Sequence, residues 1–393
     1  MKVLTINCGS STLKFELFDA ADKERSLARG IVDRIGGRGS VELTGENGER
    51  TVQFAEVADH GAAALRAIRS LDSSDLLEGI EAVGHRVVHG GTCFSGPALL
   101  DGEVEEAIGE LAELAPLHND SALAAVRAVR EALGPGMPQV AAFDTVFHRT
   151  MPRVARLFAL PRRLAEEGVL RYGFHGLSYE YVMDELRRLD PEAAAGRVVI
   201  AHLGNGASMA AVKEGVGVDT TMGFTPAGGI VMGTRTGDLD PGVLLHLLRS
   251  IDPETLSELV NRESGLLGVS ETSADMRDLL AREASDPRAA EAVAVFCYQA
   301  RKFLGALAAA LGGLDTLVFT GGIGEHATPV RERICEGLEF LGIRLDARRN
   351  AAHAPIISRD DEPVTVRVVP TDEDLMVARH TRELVELMTK EGA

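Results

Sequence analysis

A chain of 393 residues is about two to three times the size of a typical single-core domain, which points to two domains or one large α/β unit. Asp and Glu number 59 against 41 Lys and Arg, and the resulting formal charge of −18 repels polyphosphate backbones and anionic membranes, so nucleic-acid and peripheral-membrane roles are disfavoured. The absence of Trp and an aromatic content of 4% leave little for base stacking, while 45% hydrophobic and 25% charged residues are the proportions of a folded globular chain.

Cys8, Cys93, Cys297 and Cys335 are scattered without C-x-x-C spacing, so neither a disulfide framework nor a zinc site is expected. The N-terminus runs into a glycine turn before any apolar stretch of signal-peptide length, and no long apolar run follows; the expected location is the cytoplasm.

Strand-like apolar runs alternate with helical patterns, the mark of α/β architecture. Strands are predicted over 3–6, 13–18, 82–88, 139–143, 197–201, 210–213, 317–319 and 364–369. Several are continuously apolar, as in strands buried on both faces. Asp240-Pro241, Asp252-Pro253 and Asp286-Pro287 each place an N-cap acceptor before a proline suited to the first helical position. Gly265 and the Gly312-Gly313 pair are expected to close helices. The apolar stretch 286–311 reads as a central packing helix rather than a surface one, and 372–388 as an amphipathic helix.

The segment from Val3 through Gly9 has the same pattern as that from Val198 through Gly204: strand, turn glycine, small polar residues. Two identities carry this echo, which either is chance or marks two related halves. The pattern breaks near Thr150-Met151-Pro152, and no low-complexity linker separates the halves, so a shared cleft is expected.

No Gly-Lys dipeptide is present, so the P-loop pattern is absent, and the dinucleotide-like Gly322-Ile323-Gly324-Glu325-His326-Ala327 comes late in the chain. Three turns at strand ends, 7–12, 202–208 and 320–324, are instead rich in Gly, Ser, Thr and Asn. Their backbone N–H groups and short side chains can approach a phosphate, with Lys14 as a point charge; the competing reading is three ordinary tight connections. Arg86 in GHRVVHGG and Arg235 in MGTRTGD stand among residues too small to pack around them. Guanidinium matches phosphoryl oxygens two at a time, the alternative being a surface ion pair. Asp144 ends an apolar strand, either at a ligand crevice or as an N-cap. His85 and His89 flank a strand-like Val-Val and do not form a metal pair. His175, bracketed by glycines and Phe174 just before a helix start at Ser178, suits a donor aimed into a cleft.

Together these motifs resemble the acetate kinase family. INCGSSTLKFELF, GHRVVHGG, APLHN, FDTVFH, RYGFHG, HLGNGAS, TTMGFTP, MGTRTGDLDPG, ADMRDL, FTGGIGE and PTDEDL occur in that family's order and span the chain. The resemblance implies an α/β fold in which a ribonuclease H-like (actin-like ATPase) domain is duplicated, with an interdomain cleft. The N-terminal domain would be 1–149 plus 374–393, the C-terminal helix returning to it, and the second, nucleotide-binding domain 150–373. It also implies a cytoplasmic homodimer that reversibly transfers the ATP γ-phosphoryl group to acetate, giving acetyl phosphate and ADP, with Mg²⁺ or alternatively Mn²⁺.

By motif, the resemblance assigns Asn7 and Glu373 to the metal and Lys14 to the nucleotide phosphates. Arg86, Arg235, His175 and Asp144 become the catalytic set, with Arg86 also gripping the substrate carboxylate. His202, Leu203, Gly204, Asn205, Gly206, Asp275, Met276, Arg277, Gly322, Ile323, Gly324, Glu325 and His326 would hold ATP. Val88, Leu117, Phe174 and Pro226 would form the pocket for the acetate methyl group.

Acetate is ionised at neutral pH and needs no general base, so Asp144 is expected to orient Arg86 or the metal's water shell. The chain departs from the family pattern at Thr92-Cys93, Asp372-Glu373-Asp374, His326 and Ala227-Gly228. The alternatives are a kinase for propionate or another short carboxylate, and an actin- or chaperone-like ATPase module that leaves both arginines without a task.

Overall fold

The computed structural model describes residues 1–20, 24–111 and 119–391. The chain separates into two compact units, one formed by Met1–Val146 with Asp372–Ala393 and the other by Phe147–Thr371.

The first unit is built on eight strands: β1 (Lys2–Cys8), β2 (Thr12–Asp19), β3 (Arg25–Asp33), β4 (Gly37–Gly45), β5 (Arg50–Val57), β6 (Ile80–Val87), β7 (Ala98–Leu99) and β8 (Gln139–Phe143). They lie in the order β5-β4-β3-β2-β1-β6-β8-β7. Because side chains alternate across a sheet, Leu4, Ile6, Cys8, Leu13, Phe15, Leu17 and Val83 share a buried core with helices His60–Asp72 and Asn119–Leu133. Asn7, Lys14, Glu16, Gly84 and Arg86 belong to the opposite face, against which helix Glu373–Glu391 packs. That helix comes so close that a Cβ on Gly84 would stand 2.3 Å from Thr381 Oγ1 and 2.6 Å from Val377 Cγ1. Glycine is required there for want of space.

The second unit carries β9 (Arg197–Leu203), β10 (Ala207–Lys213), β11 (Val216–Thr220), β12 (Thr316–Thr320) and β13 (Thr365–Val368), in the order β11-β10-β9-β12-β13. Helix Gly176–Leu189 packs on the face bearing Val198, Ile200, Ala210 and Val212. Each sheet contains the same device: β1 and β9 run antiparallel to the strand that follows and parallel to a strand from later in the chain, β6 and β12 respectively. The echo between Val3 and Val198 therefore reflects a repeated hairpin.

Several expectations need correction. Gly265 opens helix Gly265–Ser270 instead of closing one; its φ of +64° turns the chain onto Met232, whose carbonyl would lie 2.2 Å from an added Cβ. Helix Pro287–Leu311 buries Phe296, Leu304 and Leu307 but exposes Tyr298 by 64%, so it is amphipathic and has a surface face. The turn at 320–324 is itself a short helix, Gly321–His326, and the helix after His175 begins at Gly176. Strand β6 stops at Val87, leaving His89 beyond it, while His85 binds Gln139 Oε1 at 2.8 Å.

Candidate active site

In the first unit, strand register assembles the site. Lys14 pairs with Asn7 across β2 and β1, and Asn7 with Arg86 across β1 and β6, so three polar residues stand in one row. Arg86 donates from Nη1 to Asn7 Oδ1 at 3.0 Å, from Nε to Asp144 Oδ1 at 3.0 Å and from Nη2 to Asp144 Oδ2 at 2.6 Å. Asp144 thus clamps an arginine, and the Arg86 side chain is 16% exposed, not a surface ion pair. Glu373 Oε2 lies 3.7 Å from Arg86 Nε. Burial alone would weaken the charged guanidinium, but Asp144, Glu373 and Asp374 hold its pKa above the usual range.

Two further carboxyls belong to this face, and sequence reasoning missed their role. Burial, then repulsion from Glu373, pushes Asp374 up to about 6, against the pull of Lys14 and Arg86. Burial, followed by repulsion from Asp374 and Asp372 and opposed by Ser26, pushes Glu16 up to about 7. Asp374 Oδ1 is buried with no hydrogen-bond partner among the described residues. Val88 is buried at the end of the same region, and Leu117 lies outside the described residues.

In the second unit, His175 precedes helix Gly176–Leu189 in a left-handed conformation, φ +59°. Its Nδ1 is 2.8 Å from Ser208 Oγ, and its ring stacks on that of His202 with centroids 4.2 Å apart. A Cβ built on Gly206 would meet His175 Nε2 at 3.4 Å and Arg235 Nη1 at 3.8 Å, so both side chains border one backbone point. Arg235 Nη1 also donates to the Pro226 carbonyl at 3.2 Å, which ties the expected pocket residue to the expected catalytic one. Phe174 is buried, and its carbonyl accepts from His148 Nε2 at 3.0 Å.

A cleft of about 600 Å³ in this unit is lined by Gly204, Asn205, Asp275, Met276, Arg277, Gly322, Ile323 and His326, together with Ala274, Leu280, Ala327 and Pro329. The remaining expected nucleotide residues do not line it. Leu203 is core, Gly324 is buried, and Glu325 Oε1 braces the backbone by accepting from Gly321 N at 3.0 Å and Thr371 N at 3.2 Å. His202 is held by Ser178, and Gly206 borders His175. Lys14 belongs to the first unit. The leading amides of the two hairpin turns are already engaged, Gly9 N with Thr12 O and Gly204 N with Gly206 O. That leaves the later amides and the side chains of those turns as the groups an anion could meet.

The sequence model of the Acetokinase family matches residues 2–379. The chain belongs to the acetokinase family. It is 45% identical over 396 residues to an acetate kinase of Phocaeicola vulgatus, covering 97% of this chain and 98% of that one. The solved acetate kinase of Porphyromonas gingivalis matches with a TM-score of 0.89 at 41% identity, covering 98% of this chain and 99% of the other. A propionate kinase from Francisella tularensis superposes with a TM-score of 0.92 at 35% identity, covering 97% and 99% respectively. Acetokinases are phosphotransferases with a carboxyl group as acceptor, so the reading as a chaperone-like ATPase module falls.

Proposed function

We propose that this acetokinase moves the γ-phosphoryl group of ATP to acetate, reversibly, giving acetyl phosphate and ADP, and that the marked residues of both units serve this one reaction. The observation that carries the reading is Arg86, fixed at three points by Asp144 and Asn7. A phosphoryl group in transit spreads charge over three equatorial oxygens, so catalysis is chiefly positioning and cationic stabilisation. Arg86 and Arg235 supply planar donor forks, and His175 adds a third donor. Acetate arrives ionised, so Asp144 orients Arg86 and takes no proton.

Asn7, Glu373 and Asp374 offer hard oxygen donors, among them the unpartnered Asp374 Oδ1. Among the described residues no three acidic, His or Cys side chains form a complete cation cage. This fits Mg²⁺, which is commonly held by one or two carboxylates plus substrate phosphates and waters. Bound there, the ion would neutralise charge on the phosphate oxygens. The 600 Å³ cleft is the proposed adenosine site, with Ile323, Met276 and Leu280 as its apolar contacts.

Acetate is the proposed acceptor over propionate, as in the acetate kinase of Phocaeicola vulgatus to which the chain is 45% identical. One methylene discriminates by about 10–200-fold at most, so propionate should be a slower substrate; kcat/KM for the two acids decides.

We also propose a homodimer in the cytoplasm. Helices Pro241–Leu247 and Pro253–Arg262 bury no residue, and Val243, Leu245 and Leu248 are exposed by 41%, 66% and 43%. Such an apolar face is suited to a second copy. Light scattering should give twice the chain mass, and Leu245→Glu should halve it; a monomeric wild type would overturn the assignment.

A further inference from the structure

His175 and His202 stack at an interplanar angle of 20°, and each turns its Nδ1 toward a serine, His175 toward one on β10 and His202 toward one on the helix that follows His175. Ser208 of β10 reaches His175 ahead of the helix; Ser178 of the helix reaches His202 of β9; both contacts are 2.8 Å. Each serine oxygen then meets a second hydroxyl. Thr371 Oγ1 donates to Ser178 Oγ at 2.8 Å, and the Tyr179 hydroxyl lies 2.5 Å from Ser208 Oγ. Ser178, Tyr179 and Ser208 are fully buried.

A hydroxyl has one proton to give. With Thr371 donating into Ser178, the Ser178 proton goes to His202 Nδ1. A phenol is a much stronger acid than an aliphatic hydroxyl, so Tyr179 donates into Ser208 and the Ser208 proton goes to His175 Nδ1. An imidazole nitrogen that accepts carries no proton, so the other nitrogen carries it. We infer that the Tyr179–Ser208 relay holds His175 in the Nε2–H tautomer, presenting a proton beside Gly206 at the point that Arg235 also borders.

The other tautomer would aim a lone pair at an anionic oxygen. His175 thus acts as a neutral, pre-aimed donor, and Tyr179 and Ser208 are positioning residues. Thr371–Ser178 sets His202 in the same way and keeps a flat partner under the His175 ring. The inference rests on the kinase reading for its purpose, though not for its geometry.

The test is imidazole ¹⁵N NMR on the full-length protein, with His175 assigned by the resonances lost in His175→Gln. The expected wild-type signature is a protonated Nε2 and an unprotonated Nδ1. Ser208→Ala should raise the Nδ1–H fraction and lower kcat roughly tenfold, with the acetate KM changed less than about twofold. Tyr179→Phe, which removes only the donor, should shift the same resonances by less and decides the matter if Ser208→Ala does not fold. A wild-type His175 protonated at Nδ1, or resonances unmoved in the variants, overturns the inference. Acetyl phosphate formation, assayed on the same wild-type sample, reports separately on the kinase reading.

Discussion

Arg86 and Asp144 meet as a two-point fork, Nε to Oδ1 at 3.0 Å and Nη2 to Oδ2 at 2.6 Å, with the carboxylate almost wholly removed from solvent. Asp144→Asn keeps the shape but gives up one acceptor and the charge. The guanidinium then loses its fixed plane, and kcat should fall by about 10²-fold or more. The acidic limb of the pH–rate profile should stay where it is; a shifted limb would show Asp144 acting as a base. Asp144→Ala strands a largely buried cation and should cost about 3–5 kcal/mol of stability by chemical denaturation.

Glu16 makes stability depend on pH. The folded state holds its proton up to about pH 7, whereas an unfolded glutamate releases it near 4.5. Between those values the native state binds more protons, so this stabilisation is complete below about 4.5 and is lost as pH rises toward 7. Glu16→Gln removes the dependence. Its melting temperature should exceed the wild type's at about pH 8, by an amount equivalent to roughly 1–3 kcal/mol, and match it near pH 4.5. Equal melting curves at both values would contradict the assignment.

Gly84→Ala places a methyl group 2.3 Å from Thr381 Oγ1 and so pushes the C-terminal helix, which begins with Glu373 and Asp374, off the sheet. Overpacking of this kind costs about 1–3 kcal/mol. The variant should melt earlier and require more Mg²⁺ for half-maximal rate, as read from an Mg²⁺ titration of activity.

Gly233→Ala acts on the nucleotide side. Its Cβ would fall 1.9 Å from Asn205 Oδ1, a flexible side-chain end that lines the cleft. Asn205 should swing away at little cost to folding, raising the KM for ATP several-fold, roughly one lost hydrogen bond's worth, with a smaller change for acetate. Steady-state kinetics with each substrate varied in turn would separate the two.

Strands β1, β8, β9 and β12 were legible because burial on both faces leaves them largely apolar, and β2 because buried Leu13, Phe15 and Leu17 alternate with Lys14 and Glu16. Strands β3, β4 and β5 were not: Arg29, Gly30, Gly37, Gly39 and Arg50 interrupt the pattern, and Phe54 of β5 is 73% exposed. The Asp-Pro helix starts could be read since each cap is local, Asp252 for example accepting from Thr255 N at 2.8 Å. Gly265 misled because a positive φ serves a helix start as well as a helix end. Arg86 and Asp144 were visible as odd residues at strand ends, but their fork spans 58 positions and appears only once β6 and β8 are in register. The roles of Glu16, Asp374, Ser208 and Tyr179 were not legible, since each acquires its role from a neighbour on another element.

In the proposed reaction a carboxylate accepts the phosphoryl group, and Arg86 and Arg235 stabilise its passage. The most direct measurement is ADP release from ATP and Mg²⁺ with and without acetate, coupled to detection of acetyl phosphate, for the wild type, Arg86→Ala and Arg235→Ala. Acetate-dependent ADP release matched one for one by acetyl phosphate is expected, with a loss of at least about 10²-fold in each variant. ADP release that ignores acetate, or that survives both substitutions, would contradict it.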